Sequence, residues 1–195
     1  MLREEAGQQL AAHSRRDLQM ITVNTRRMAE LIDGLLEFSR LSRSDPTRRL
    51  VPMGAMVDAI IADTASRAAH RPAFIIGELA PVEGDASMLR QVWINLIANA
   101  IKFTARASNP RIDISCRREA GFVIFSVRDN GAGFDPRYQS KLFGIFQRLH
   151  AQADYDGTGV GLAIVKRIVE RHHGQVWAEG DLGRGATFHF SLPAT

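Results

Sequence analysis

An apolar run that ends at one carboxylate and two closely spaced glycines constrains this chain more than any other stretch. The run extends from Phe122 to Val127 and leads into Asp129-Asn130-Gly131-Ala132-Gly133. Such a run is typical of a buried strand, and the glycines let the backbone approach a ligand without a Cβ in the way. The carboxylate then offers an acceptor of fixed direction, which suits a planar amine donor such as the amino group of adenine. Asp-Asn-Gly is also ordinary turn chemistry, so the rest of the chain has to decide between the two interpretations.

The composition is that of a globular protein with room for one domain and an appendage. Of the 195 residues, 45% are hydrophobic and 24% are charged. The net charge of +4 comes from 25 lysines and arginines, and the arginines occur in scattered pairs with acidic residues between them. Because no dense basic tract with interleaved aromatic residues is present, we expect solvated helix faces and no nucleic-acid partner.

Cysteine usage and hydropathy indicate a reducing compartment. Cys116 is the only cysteine, which excludes an intrachain disulfide and a Cys-rich zinc site. No apolar run approaches the ~18 residues that a membrane helix needs, and the N-terminal residues do not read as a signal peptide. We therefore expect a cytoplasmic protein, or the cytoplasmic piece of a larger one, with no membrane segment in this chain.

Residues 8–43 are predicted to form one long helix. They contain no proline and one glycine, and their apolar residues are spaced by three and four. The seam comprises Leu18, Ile21, Thr25, Met28, Ile32, Leu35 and Ser39. A stripe this wide is expected to pack against a second copy in a homodimeric bundle, and the alternative is a helix folded back on its own domain. Pro46 ends the helix, which predicts a long coiled-coil-like helix over 1–45 and a second domain over 46–195.

The histidines do not suggest a metal site. His13 lies early in the predicted helix and is expected at its surface. His172 and His173 precede Gly174 at the predicted end of a later helix, where imidazole suits the negative end of the helix dipole and glycine suits the C′ position. Adjacent histidines on a helix point in different directions, so we expect no metal between them.

From residue 48 onward, strand and helix patterns alternate. Strands are predicted at 50–53, 73–76, 111–118, 121–128, 175–179 and 187–192, and helices at 55–69, 85–103 and 159–173. Strand pairs predominate over strand-helix-strand units. The predicted fold is therefore an α/β two-layer sandwich, in which a mixed, largely antiparallel sheet packs on helices.

The helix predicted at 85–103 has one unusual polar face. Gln91, Asn95, Asn99 and Lys102 lie along one stripe, and the opposite face is apolar. Neutral amides and one ammonium suit polyphosphate and a divalent metal, because a carboxamide oxygen is a hard ligand for Mg²⁺. A polar solvent face is the alternative for a helix that stands alone.

A glycine-rich loop precedes the helix predicted at 159–173. The loop reads Asp156-Gly157-Thr158-Gly159-Val160-Gly161-Leu162, so free backbone N–H groups and a helix N-terminus face its interior. Phosphate is the natural occupant. A Walker loop would end in Gly-Lys-Ser/Thr and a dinucleotide loop would follow a strand, so both common glycine motifs are excluded.

Residues 48–192 resemble the ATP-binding catalytic domain of sensor histidine kinases, and five ordered motifs carry the resemblance. They are Asn95-x-x-x-Asn99-Ala100-x-Lys102-Phe103, Asp129-x-Gly131-x-Gly133, Phe143-Gly144-Ile145-Phe146, Gly157-Thr158-Gly159-Val160-Gly161-Leu162 and Gly183-Arg184-Gly185-Ala186-Thr187-Phe188. Residues 146–150 resemble the variants that follow phytochrome and PAS sensor modules. Residues 8–43 resemble the second helix of the dimerisation domain, and the first helix with its phosphoaccepting histidine motif is missing.

The resemblance implies a role for each matched residue. Asp129 would hold the adenine amino group with Gly131 and Gly133 nearby, and Phe103 would lie near the base. Asn95 and Lys102 would contact the phosphates as the catalytic residues, and Asn99 would ligate Mg²⁺. Residues from Arg148 to Gly157 would form a mobile lid. The remaining nucleotide-binding candidates are Thr158, Gly159, Val160, Gly161, Leu162 and Thr187.

Three classes of function stay open. The first is phosphotransfer from ATP to a protein histidine, with a response-regulator receiver domain and an upstream sensor module as partners. The second is an ATP-hydrolysing clamp of the gyrase type, which would need a glutamate where this chain has Gln91. The third is a non-catalytic nucleotide-binding dimer or adaptor. The chain alone is expected not to phosphorylate itself, because Ser14 and Leu18 stand where an acceptor at His13 would have an acid and a proline.

Overall fold

A computed structural model of the chain describes residues 12–41, 46–67, 70–147 and 158–194. Helix α1 (Ala12–Leu41) lies within the predicted long helix. The seam side chains from Leu18 to Leu35 are exposed, with 55% of Ile32 and 49% of Leu35 open to solvent. Near its C-terminal end, α1 approaches Val160, which immediately precedes the helix Gly161–Arg171. A Cβ on Gly34 would be 3.3 Å from the Val160 side chain. No seam residue whose side chain is described is therefore buried by the described part of the chain, whereas Leu31, beside the seam, packs against the hydrophobic core.

The sheet has the predicted mixed, largely antiparallel character. Its five strands are Ala73–Ile76 (β2), Arg111–Glu119 (β4), Phe122–Asp129 (β5), Val176–Asp181 (β6) and Gly185–Pro193 (β7). They lie in the order β2-β4-β5-β7-β6, and only the β2–β4 pair is parallel. A separate two-stranded sheet pairs β1 (Arg49–Val51) with β3 (Val82–Gly84). Strand β3, which includes Gly84, was not predicted.

The described helices after residue 46 are α2 (Met53–Arg67), α3 (Ala86–Thr104) and α4 (Gly161–Arg171), with a 3-10 helix at Pro136–Lys141. Helices α3 and α4 pack on one face of the five-stranded sheet, and α2 packs against α3. Among the described helices, none is both long and apolar enough to cross a membrane.

The core confirms the apolar face predicted for α3. Trp93 is fully buried and meets Phe125 and Phe190 edge-on, with ring centroids 5.6 and 5.1 Å away. The two phenyl rings stack on each other at 5.0 Å. Each such side chain is worth about 1.5–3 kcal/mol when buried, so the orientation of α3 on the sheet is strongly fixed. The polar stripe of α3 is thereby turned away from the core.

Asp85 caps α3 as predicted, and it also joins two other segments. Its carboxylate accepts hydrogen bonds from the backbone of Ser87 and Met88 in α3 and from Thr47 N in the segment before β1. The Asp85 N–H donates to His172 Nε2 at 3.0 Å, and His172 Nδ1 donates to Ile168 O at 2.8 Å. Burial lowers the pKa of His172, which favours the neutral ring that this pattern requires. His172 is therefore a buried connector between helices.

The end of α4 differs from the prediction, which placed Gly174 at the C′ position. The left-handed residue is His173, with φ of 61°, and Gly174 follows it. The Gly174 N–H donates to Val169 O and the His173 N–H to Glu170 O, which is a Schellman motif. Gly174 is required for another reason, because a Cβ there would be 1.8 Å from the carbonyl oxygen of Ser191. The side chain of His13 lies outside the described part of the chain.

Candidate functional site

The three predicted motifs meet at one end of the sheet. They are the end of β5, the polar face of α3 and the loop before α4. A Cβ on Gly161 would be 2.6 Å from Asn95 Oδ1, and a Cβ on Gly131 would be 2.3 Å from Phe103 O. Residues far apart in the sequence therefore line one site.

Asp129 is the buried acid of this site. Only 3% of the residue is exposed, and its Oδ1 accepts a hydrogen bond from Gly131 N at 2.9 Å. Burial raises the pKa of Asp129 to about 6, and backbone hydrogen bonds from Gly131 and Ala186 oppose that rise. A buried carboxylate with so few donors is ready to accept a hydrogen bond from a ligand.

The glycines beside Asp129 are needed for close packing. Gly131 lies against the last turn of α3, and Ala132 N donates to Phe103 O at 3.2 Å. Gly133 has φ of 61°, and a Cβ there would be 1.9 Å from Asp181 O. These contacts hold the turn after β5 between α3 and the end of β6.

The polar stripe of α3 borders the same space. Gln91, Asn95, Asn99 and Lys102 are all half-buried. Asn95 Nδ2 donates to Gln91 O at 2.9 Å, which leaves its amide oxygen directed towards Gly161. The ammonium group of Lys102 lies 4.4 Å from the ring centroid of Phe103. The stripe thus presents amides and one cation, groups that suit a polyanion and its metal.

The glycine-rich loop is described from Thr158 onward. Gly159 has φ of 74°, its carbonyl accepts from Phe146 N at 3.0 Å, and a Cβ there would be 2.9 Å from Gln147 O. Val160 is buried, while Thr158, Gly161 and Leu162 are half-buried. Arg148 and Gly157, with the predicted lid between them, lie outside the described residues.

The strand register turns the side chain of the candidate Thr187 away from Asp129. The register of β5 and β7 pairs Asp129 with Ala186, and Thr187 with Arg128. Because side chains alternate between the two faces of a strand, Thr187 points to the face opposite Asp129. Ala186 takes its place and contributes a backbone hydrogen bond to the carboxylate. Its methyl group gives no chemical signal, so only the strand register could have identified it.

Comparison with known families agrees with the predicted resemblance. The model of the family described as "Histidine kinase-, DNA gyrase B-, and HSP90-like ATPase" matches residues 84–195. Cyanobacterial phytochrome A of Nostoc sp. (strain PCC 7120) is 41% identical over 167 residues, which are 85% of this chain and 22% of that protein. The chain thus spans about a fifth of that relative's length.

Two solved structures share the fold. Full-length ShkA, in complex with AMPPNP, superposes with a TM-score of 0.69 and 28% identity, over 96% of this chain and 40% of that one. The catalytic domain of histidine kinase ThkA superposes with a TM-score of 0.62 and 26% identity, over 76% of this chain and 97% of that one. These likenesses confirm the predicted α/β fold and the predicted kind of domain. The chain therefore belongs to the family of histidine kinase-, DNA gyrase B- and HSP90-like ATPases, and a cyanobacterial phytochrome and the histidine kinase ThkA are among the proteins that it resembles.

Proposed function

We propose that this chain is the catalytic part of a sensor histidine kinase, which binds Mg·ATP and transfers the γ-phosphate to a histidine on a dimerisation helix. The observation that supports the proposal is the buried Asp129 carboxylate at the end of β5, whose turn packs at Gly131 on the last turn of α3, the helix that carries the amides. These groups suit a nucleotide. The buried carboxylate is a hydrogen-bond acceptor for the base, and the amides, backbone N–H groups and ammonium suit the phosphates and their metal.

Each residue would act by positioning and charge neutralisation, which is most of what phosphoryl transfer asks of a protein. Asp129 would accept a hydrogen bond from the amino group of adenine, and Phe103 would lie beside the base. Asn95 and Lys102 hold the phosphates, and Asn99 ligates the metal. When bound, Mg²⁺ neutralises charge on the phosphate oxygens. The backbone of the loop that includes Gly159 and Gly161 adds N–H donors, with Thr158, Val160 and Leu162 in the same loop.

The proposal extends to partners and location. A cytoplasmic homodimer through α1 would receive a signal from an upstream sensor module and pass phosphate to a response-regulator receiver domain. ATP hydrolysis of the gyrase type has less support, because Gln91, half-buried on α3, has no carboxylate to take a proton from water. A nucleotide-binding adaptor would share the site and would differ only in lacking phosphotransfer.

Phosphotransfer is tested by supplying the acceptor separately. We expect radiolabelled ATP to give no phosphohistidine on this chain alone, but to give acid-labile, base-stable label on an added two-helix segment that carries a phosphoacceptor histidine. Nucleotide binding without label on the added segment would favour the adaptor. Release of inorganic phosphate without label would favour the hydrolytic clamp.

Metal dependence tests the role of Asn99. Replacing Asn99 by alanine removes a ligand oxygen, so Mg²⁺ should no longer strengthen ATP binding, with a loss of at least about 10-fold in affinity for Mg·ATP. Isothermal titration calorimetry with and without Mg²⁺ measures this effect. Asn24→Ala, an exposed amide on α1, is the matched control. An Asn99→Ala variant that keeps the full effect of Mg²⁺ would exclude Asn99 as the ligand.

Dimerisation tests the role of α1. Ile32 and Leu35 are exposed seam residues, and burying such side chains is worth about 1.5–3 kcal/mol each. Replacing both by glutamate should convert a dimer into a monomer in analytical ultracentrifugation and leave ATP binding unchanged. Val23→Glu is the control, because Val23 is equally exposed but lies off the seam. A wild-type chain that sediments as a monomer at high micromolar concentration contradicts the dimer.

A further inference from the structure

The hydrogen-bond ladder between β4 and β5 ends in an unusual way. Its register pairs Ile112 with Asp129, so the next pair is Arg111 with Asn130. In a hydrogen-bonded pair of a regular antiparallel ladder, each residue donates its N–H to the carbonyl of the other. Asn130 N does donate to Arg111 O at 3.3 Å, but Arg111 N donates to the side-chain oxygen of Asn130, at 2.8 Å. The side-chain amide thus takes the place of the main-chain carbonyl.

Because the Asn130 side chain accepts this hydrogen bond in place of the main-chain carbonyl, the main chain can leave the sheet one residue after Asp129. With Arg111 N–H satisfied by the side chain, the peptide after Asn130 is able to turn, and Gly131 N donates to Asp129 Oδ1 at 2.9 Å. The turn then packs on α3, where Ala132 N meets Phe103 O. The direction of the buried carboxylate therefore depends on how the chain turns at Asn130.

The NH₂ group of the Asn130 side chain is hydrogen-bonded to the segment that connects α3 to β4. Asn130 Nδ2 donates to Asn109 O at 2.7 Å. Asn109 lies between the end of α3, which carries Asn99 and Lys102, and the start of β4. One exposed side chain therefore ties the Asp129 turn both to the neighbouring strand and to the segment that leaves the polar helix.

We propose that Asn130 is a positioning residue, which ends β5 with its side-chain amide and aims the Asp129 carboxylate at the amino group of the base. The inference rests on the proposed function for its ligand, adenine nucleotide. Asn130 does not touch the nucleotide in this account and acts through Asp129. Only an asparagine supplies both the oxygen for Arg111 N–H and the N–H for Asn109 O at this position.

Base selectivity is the first test. Affinities for ATP and GTP are measured by calorimetry in wild type, Asn130→Ala, Asn130→Asp and Asn109→Ala. Wild type should prefer ATP by roughly 10-fold or more, and Asn130→Ala should lose most of that preference, because a small misplacement of a binding group costs on the order of 10-fold to 100-fold. Asn130→Asp keeps the acceptor for Arg111 N–H, so it should bind both nucleotides more weakly but retain the preference. Asn109→Ala keeps the backbone carbonyl and should match wild type.

The carboxyl group itself provides a readout that needs no nucleotide. Titration of the Asp129 carboxyl by ¹³C NMR should show a lower pKa in Asn130→Ala than in wild type, since a loosened turn admits water to a group whose pKa burial raises. Asn109→Ala should titrate as wild type does. Loss of stability alone would leave both the titration and the ATP/GTP ratio unchanged.

The two proposals fail in different ways. If wild type and Asn109→Ala bind no adenine nucleotide, the proposed function is wrong, and the NMR titration still decides the role of Asn130. If wild type binds ATP selectively and Asn130→Ala shows the same selectivity and the same carboxyl titration, Asn130 does not position Asp129.

Discussion

Replacing Asp129 by asparagine should make the protein more stable at neutral pH and, at the same time, abolish its preference for adenine. The fold keeps the side chain 3% exposed and raises the pKa of its carboxyl from 3.8 to about 6. Burial therefore opposes the ionised form in the empty site. An asparagine of the same shape carries no charge to desolvate, but it presents the wrong hydrogen-bonding groups to the base.

The pH dependence follows from the direction of the shift. Because the folded pKa lies above the unfolded one, the folded state binds the proton more tightly, and stability is lost as pH rises from about 3.8 to about 6. The loss amounts to about 3 kcal/mol for a shift of this size. The variant should therefore match wild type near pH 4 and exceed it by about 1–3 kcal/mol at pH 7, less whatever its altered backbone hydrogen bonds cost.

Urea unfolding at several pH values between 4 and 7 measures this difference. Asp58→Asn, an exposed acid on α2, is the control and should show no such divergence from wild type. Calorimetry on the same variants should show that ATP binding by wild type weakens as the pH falls below about 6, since a protonated carboxyl is a weaker acceptor than the ionised one. A stability difference between Asp129→Asn and wild type that is the same at every pH would contradict the burial of a charge at this position.

The parts of this site that local pattern determines were predictable from sequence. The 3.6-residue period of α3 separated Trp93 from Asn95 and Asn99, and the apolar run into Asp129 placed the acid at a strand end. Both features depend on residues close together in the chain. The fold confirms them because burial of the Trp93 face leaves only one orientation for the polar stripe.

The parts that depend on distant residues were not predictable in this way. The face of the sheet on which Thr187 lies is decided by the register of β7 on β5. A shift of one residue in that register would move every side chain of β7 to the opposite face of the sheet. In the observed register, Ala186 and not Thr187 lies beside Asp129. His172 is a connector because Asp85, 87 positions earlier, donates to it. The role of Asn130 requires knowledge of its partner on β4. A single sequence contains no direct record of such pairs.

The glycines were predicted as a group, but the structure separates their roles. Gly133 and Gly183 both have a left-handed backbone, with φ of 61° and 73°. A Cβ on Gly133 would be 1.9 Å from Asp181 O and 2.8 Å from Gly185 O, whereas a Cβ on Gly183 would meet nothing within 4 Å. The two positions therefore differ in the space around the Cβ while sharing the same kind of backbone strain.

Gly133→Ala should consequently be among the most damaging single substitutions in the chain, and Gly183→Ala a mild one. The left-handed backbone costs an alanine roughly 1–2 kcal/mol at either position. At Gly133, the two carbonyl groups belong to β6 and β7 and cannot retreat without breaking the sheet, so the total loss should exceed about 4 kcal/mol. Equilibrium unfolding in urea measures both losses, and Gly183→Ala should keep ATP affinity near that of wild type. Equal losses of stability in the two variants would show that backbone strain alone, without the close approach of β6 and β7, accounts for glycine at position 133.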